Sequence, residues 1–232
     1  MLALFFEVRP REDGGWERYL AIAAGLRPVL AKQEGLLFID RYRSLTRPGT
    51  ILSYSLWRDE AALAAWRAQG LHHGAQSMGR QEILDDYRLR IAHVSRTAAP
   101  GEPYEPPAAR STYRAPSAQP ARLVVVAQAH GDFALGNATP TDAFGSLNRE
   151  GERLWLFDAA DEADASNLID LLCAAGATAR ACEVERDYGM FDRAEAPQYH
   201  PPVARLCVDG APGATVPADG VAGGLAAARM GG

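Results

Sequence analysis

Cysteine is scarce in this chain of 232 residues: there are 3, at Cys173, Cys182 and Cys207, all in the second half and none in a CxxC pair. An odd, widely spaced set builds neither a disulfide framework nor a thiolate zinc site, so reduced thiols are expected. Long apolar runs are also missing. Stretches such as 2–6 and 123–127 fall far short of the roughly 20 residues a membrane helix needs, and no membrane is expected as a partner. The opening MLALFFEVRP has neither a basic n-region nor a small-residue cleavage site. It reads as a strand rather than a signal peptide, which makes the cytoplasm the expected compartment. Lysine is nearly absent: Lys32 stands alone among arginines, a skew that fits a GC-rich bacterial genome and carries no function. Net charge is −5, and an acidic chain lacks the basic field that nucleic acid requires. The charge is uneven, with 14 Lys+Arg against 11 Asp+Glu in residues 1–96 and 10 against 18 after them, which permits attraction between the halves. No GxGxxG, P-loop, HExxH or GxSxG occurs.

What the chain does have is ordinary globular composition, 47% hydrophobic and 23% charged, at a length that suits one large domain or two small ones. Residues 2–9 read as a strand closed by Pro10 and Gly14-Gly15. From Trp16 to Ala31 apolar residues recur at spacings of three and four, the mark of a helix, with Pro28 expected to bend or divide it. Residues 36–45 and 51–57 form a hairpin about the turn at 47–50. Asp59 caps a helix expected to run from 60 to about 78, with Leu63, Trp66 and His73 on one side. Residues 83–94 alternate as a fourth strand. The order β-α-β-β-α-β is the α+β, ferredoxin-like split arrangement, with both helices on one face of an antiparallel sheet. The uncovered face needs a partner. Pairing two such sheets makes a dimeric α+β barrel, either a homodimer or a pseudo-dimer within one chain.

Residues 97–120 hold six prolines in 24 residues and read as a linker. Beyond it come a strand at 122–129, a short helix from Thr141, a strand at 153–158, a helix at 161–175 and a strand at 178–186. The stretch 153–186 repeats the β-α-β order of 51–94, which suggests a degenerate second ferredoxin-like unit over residues 121–202. Residues 203–232 are rich in Gly, Ala and Pro and are expected to form a loosely held tail.

The stretch RYRSLTRPGTILSYSLWRDEAALAAWRAQGLHHGAQSMGR at 41–80, with FEVRP at 6–10 and DYRLRIAHV at 86–94, resembles the antibiotic biosynthesis monooxygenase (ABM) family over residues 1–96. Three features carry the likeness: a strand ending in Trp57, a second tryptophan at Trp66 on the following helix, and the His72-His73 pair. The resemblance implies a dimeric α+β barrel and, for several members, cofactor-independent monooxygenation of small aromatic or polyketide-like molecules with molecular oxygen. A haem-degrading branch is implied less well. Its pattern asks for an asparagine, a tryptophan and a ligating histidine where this chain has Glu7, Trp66 and Gln76. Only the tryptophan matches, and His73 would have to act as the iron ligand.

Seven residues separate Trp66 from His73, two helical turns, so an aromatic plate and a titratable base are expected side by side. That pair is the expected catalytic centre: the base removes a proton and the resulting anion gives an electron to oxygen. Glu7, Tyr54, His72, Gln76 and Tyr87 are the expected substrate-binding residues. Adjacent histidines lack the i, i+3 or i, i+4 spacing of metal ligands, and neither metal nor cofactor is expected. Two alternatives stand beside the oxygenase: a non-catalytic binding or scaffold protein of this fold, and a haem-binding protein.

Overall fold

A computed structural model describes residues 1–102, 122–131 and 133–204. The first half forms β1 (Leu2–Pro10), α1 (Gly15–Leu30), β2 (Leu36–Ser44), β3 (Ile51–Trp57), α2 (Glu60–Ala68), α3 (Gly70–Met78), a π-helical turn (Gly79–Ile83) and β4 (Leu84–Ala98). The second half adds β5 (Leu123–His130), β6 (Asp142–Ser146), β7 (Glu152–Ala159), α4 (Glu162–Ala174) and β8 (Thr178–Gly189). The eight strands close in the order β1-β3-β2-β6-β7-β5-β8-β4. Each half is a ferredoxin-like sheet, and the seams are the antiparallel pairs β4–β8 and β2–β6. The second half thus supplies within one chain what a partner subunit would otherwise supply. Closure leaves no unpaired sheet edge.

Alternation sorts the side chains into two layers. Ala3, Phe5, Leu52, Tyr54, Val126 and Phe144 fill the barrel. Leu2, Trp57, Leu63, Trp66 and Ile91 pack between the outer face of the sheet and the first-half helices. On the second half, α4 lays Ile169 and Leu172 against Val125 and Phe157. Burying each side chain of the size of Phe5 or Leu52 contributes about 1.5–3 kcal/mol.

Three local expectations need correction. Pro28 does not divide α1; it lies in the last turn of a helix ending at Leu30, where the loss of one hydrogen bond is tolerated. The helix expected over 60–78 is two helices. Gln69 adopts φ −62°, ψ 128°, an extended conformation that ends α2, and its side-chain oxygen caps α3 by accepting from the His72 N–H at 2.8 Å. In place of a short helix from Thr141 stands β6, which has β2 on one side and β7 on the other. The barrel needs a strand there, and tertiary pairing overrides the weak local signal of Asp142-Ala-Phe-Gly-Ser146. Among the described residues the second half has no counterpart of α1. The expected linker at 97–120 and tail at 203–232 fall mostly outside the described residues, although β4 runs on through Ala98. Cys207 also lies outside them.

Because the sheet closes on itself, the full chain is expected to be monomeric in solution. Light scattering on the intact protein checks this, and a dimer would show that the seams form between subunits.

Candidate active site

Helices α1, α2 and α3 stand off the outer face of β1, β3 and β4 and leave a cavity of about 180 Å³. Leu4, Ile22, Leu26, Leu63 and Leu89 give it apolar walls. The segment following β8 covers it, placing Arg193, Gln198 and His200 on the wall. A cavity housed in the first half is therefore completed by side chains of the second.

On its wall the His72 ring lies on Trp66, with centroids 4.2 Å apart and planes 13° apart. Trp66 in turn stacks on Trp57 at 6.5 Å. His72 Nδ1 is 2.9 Å from the carbonyl oxygen of Trp66. A carbonyl only accepts, so Nδ1 carries the proton and donates it, leaving Nε2 with a free lone pair. Burial lowers the His72 pKa below the usual 6.5, opposed by the bond to Trp66, and the neighbouring His73 lowers it further. The ring is neutral at pH 7 and able to accept a proton. Gln76 Nε2 lies 3.4 Å from the same nitrogen, and the Gln76 side-chain oxygen accepts from Gln198 Nε2 at 2.8 Å. The Gln198 amide also lies 2.8 Å from His200 Nε2.

The structure separates the expected site residues. Trp66, His72, Gln76 and Tyr87 line the cavity; His73 does not. His73 is exposed and stacks on His200 at 5.8 Å. The break at Gln69 rotates α3 relative to α2, so the residue six beyond Trp66, rather than the one seven beyond, reaches its face. Glu7 and Tyr54 point the other way, into the barrel. Glu7 forms ion pairs there with Arg90 and Arg47, each at 2.6 Å. Tyr54 is fully buried beside Phe5, and burial raises its pKa far above the ordinary phenol value. Reading from sequence missed Arg80, Arg193, Gln198 and His200 as wall residues. The last three follow β8 in a stretch without periodicity, so no local pattern marks them.

The site does not fit a haem. Gln76 offers no ordinary iron ligand, His73 is outside the cavity, and a volume of about 180 Å³ lies below even the roughly 300–1,000 Å³ of sites that hold drug-sized ligands. Cys182 is no nucleophile either: burial in the barrel pushes its thiol up to about 12.

Fold and cavity together define a two-half α+β barrel with a largely apolar cavity between its sheet and the first-half helices. A family model described as antibiotic biosynthesis monooxygenase matches residues 1–77. Over 216 residues the chain is 35% identical to a protein of Pyricularia oryzae named Jasmonate monooxygenase ABM, spanning 88% of this chain and 100% of that one. It is 29% identical over 93 residues to an uncharacterized protein of Bacillus subtilis, YqjZ, spanning 40% of this chain and 77% of that one. A solved aldoxime dehydratase superposes with a TM-score of 0.45 at 10% identity, covering 79% of this chain and 81% of that one. The chain belongs to the antibiotic biosynthesis monooxygenase family, and its function is of the monooxygenase type.

Proposed function

We propose that the protein is a cofactor-independent monooxygenase that oxidises one small apolar, ring-bearing molecule in the cavity, with His72 as the proton acceptor. The observation that carries this reading is the bond from His72 Nδ1 to the Trp66 carbonyl, which leaves Nε2 unprotonated on a side chain that lines a largely apolar cavity. A substrate carbon made acidic by an adjacent carbonyl or aromatic ring gives its proton to that nitrogen. The carbanion transfers one electron to molecular oxygen, and recombination of the radical pair forms a carbon–oxygen bond. The resulting peroxide takes the proton back and loses water, leaving a carbonyl where a CH₂ had been. The substrate supplies all four electrons that dioxygen takes up, so the balance closes without an external reductant. Trp66 and Trp57, with the aliphatic wall, keep water out, which strengthens every electrostatic contact inside. The volume of about 180 Å³ supports a single small occupant. It lies below the roughly 300–1,000 Å³ of sites that hold drug-sized ligands.

Against a scaffold role stands the contribution of the second half to the cavity wall, through Arg193, Gln198 and His200. The test is oxygen uptake and incorporation of labelled oxygen with jasmonate, the compound named for the Pyricularia relative, and with a panel of small cyclic ketones and phenols. Ligands that bind without consuming oxygen would overturn the oxygenase reading.

The active form of His72 is the neutral one. With its pKa lowered by burial, kcat/KM is expected to rise with pH on the acidic side, with a midpoint below the ordinary 6.5, and then level off. Initial rates of oxygen uptake across the acidic and neutral range check this. A midpoint above 6.5 would assign the proton to a different group.

A further inference from the structure

Tyr87 sits between two cations. Its hydroxyl oxygen accepts a hydrogen bond from Arg80 Nη1 at 2.6 Å and another from Arg193 Nη1 at 2.7 Å. All three side chains line the cavity. Arg80 is buried, only 3% exposed. Its other bonds go to the carbonyls of Met190 and Pro201, both at 3.2 Å. Those of Arg193 go to the carbonyls of Gly189 at 3.4 Å and Gln198 at 3.0 Å. Among the described residues neither guanidinium has a carboxylate within salt-bridge distance.

Three physical consequences converge. Buried charge is normally paired, and two guanidiniums sharing one neutral oxygen repel each other with no anion to offset them. A phenol oxygen that accepts two bonds must direct its own O–H elsewhere, and no acceptor for the Tyr87 proton stands among the described residues. The cavity wall also carries Arg41 and Arg67 but no Asp or Glu. Every formal charge on the wall is thus positive, while most of the lining is apolar. Three of the five N–H donors of each arginine are taken by these bonds, which leaves two for a ligand.

We propose that Arg80, Tyr87 and Arg193 form a carboxylate clamp, and that the molecule this cavity takes is a small apolar acid. The proposal rests on reading the cavity as the substrate site. A carboxylate is planar and carries two acceptor oxygens, so it meets the forked donors of arginine and the hydroxyl of Tyr87 together. The clamp places half of substrate selection in the second half of the chain, through Arg193. Arg80 and Arg193 act as binding and positioning residues, setting which carbon of the acid faces His72.

The experiment is calorimetric binding of ring-bearing and straight-chain acids (jasmonate, cyclohexylacetate, octanoate), each beside its methyl ester. At least one acid is expected to bind tighter than its ester by about tenfold or more. R193Q and R80Q are each expected to erase that preference, so that acid and ester bind the variant alike. Arg193 is partly exposed, so R193Q remains usable if R80Q fails to fold. Equal binding of acid and ester, a preference that survives R193Q, or failure of every acid to bind would overturn the clamp. Oxygen uptake is followed in parallel. An acid that shows the preference yet consumes no oxygen supports the clamp and counts against the oxygenase reading alone.

Discussion

Replacing His72 by glutamine is expected to lower kcat by about two to four orders of magnitude, the range that a positioned general base contributes. Glutamine keeps the side chain near the Trp66 carbonyl but offers no nitrogen lone pair to the substrate. His73→Gln is the control. His73 is exposed and lies off the cavity wall, so turnover should stay near that of the parent protein. Both variants are expected to unfold at the parent temperature. His72 is on a short surface helix, and its loss removes one ring stack rather than a core element. Trp66→Phe should keep the aromatic plate and part of the activity. Trp66→Ala would open a void beside Trp57 and Leu63 and cost about 3–5 kcal/mol, confusing stability with catalysis. The comparison to make is steady-state oxygen uptake for the two histidine variants under identical conditions. If the loss falls on His73→Gln instead, the helix break at Gln69 does not set the base, and the proton acceptor must be sought on the outer side of α3.

That reversal of neighbours shows where sequence reading reaches its limit. The β-α-β-β-α-β order of the first half was legible because hydrophobic period and turn residues agree along it. The need for a second sheet was legible too, because a ferredoxin-like sheet exposes one face. The helix break was not. Only Gly70 and the capping capacity of Gln69 hint at it, and a one-residue change of phase decides which histidine meets Trp66. The same one-residue sensitivity separates Phe6, which faces the helices, from Glu7, which faces the barrel. In a barrel sheet covered on both sides, strands are apolar throughout, as in the run from Leu2 to Phe6, and period alone cannot assign the face. Strand β6 and the wall residues after β8 depend wholly on contacts distant in sequence. Arg80 meets Met190 and Pro201 across more than a hundred residues, and no local signal encodes that meeting.

Glu7 offers the largest expected effect on stability, and its direction follows from the corrected placement. Its two oxygens pair with Arg90 on β4 and with Arg47 in the β2–β3 turn, each at 2.6 Å. Arg47 Nε donates to Asp142 on β6 at 2.8 Å, and Asp142 also accepts from Ser44 Oγ at 3.0 Å and from Thr46. The network therefore ties β1 and β4 of the first half to β6 of the second. Arg90 is buried; burial lowers its pKa and the Glu7 charge opposes that shift. Glu7→Leu is expected to destabilise the protein by about 3–5 kcal/mol, because it leaves the Arg90 charge in the barrel without its partner. Arg47 bears less of the cost, since it is half exposed and keeps Asp142. The double variant Glu7→Leu, Arg90→Leu should recover most of the loss, because removing both charges removes the desolvation problem along with the attraction. Urea unfolding of the single and double variants measures this directly. Activity provides the second readout. Glu7 faces the barrel and not the cavity of His72, so whatever fraction of Glu7→Leu remains folded should turn over substrate at the parent kcat and KM. A large change in KM at full folding would return Glu7 to the substrate and mean that the reacting molecule enters the charged mouth of the barrel instead.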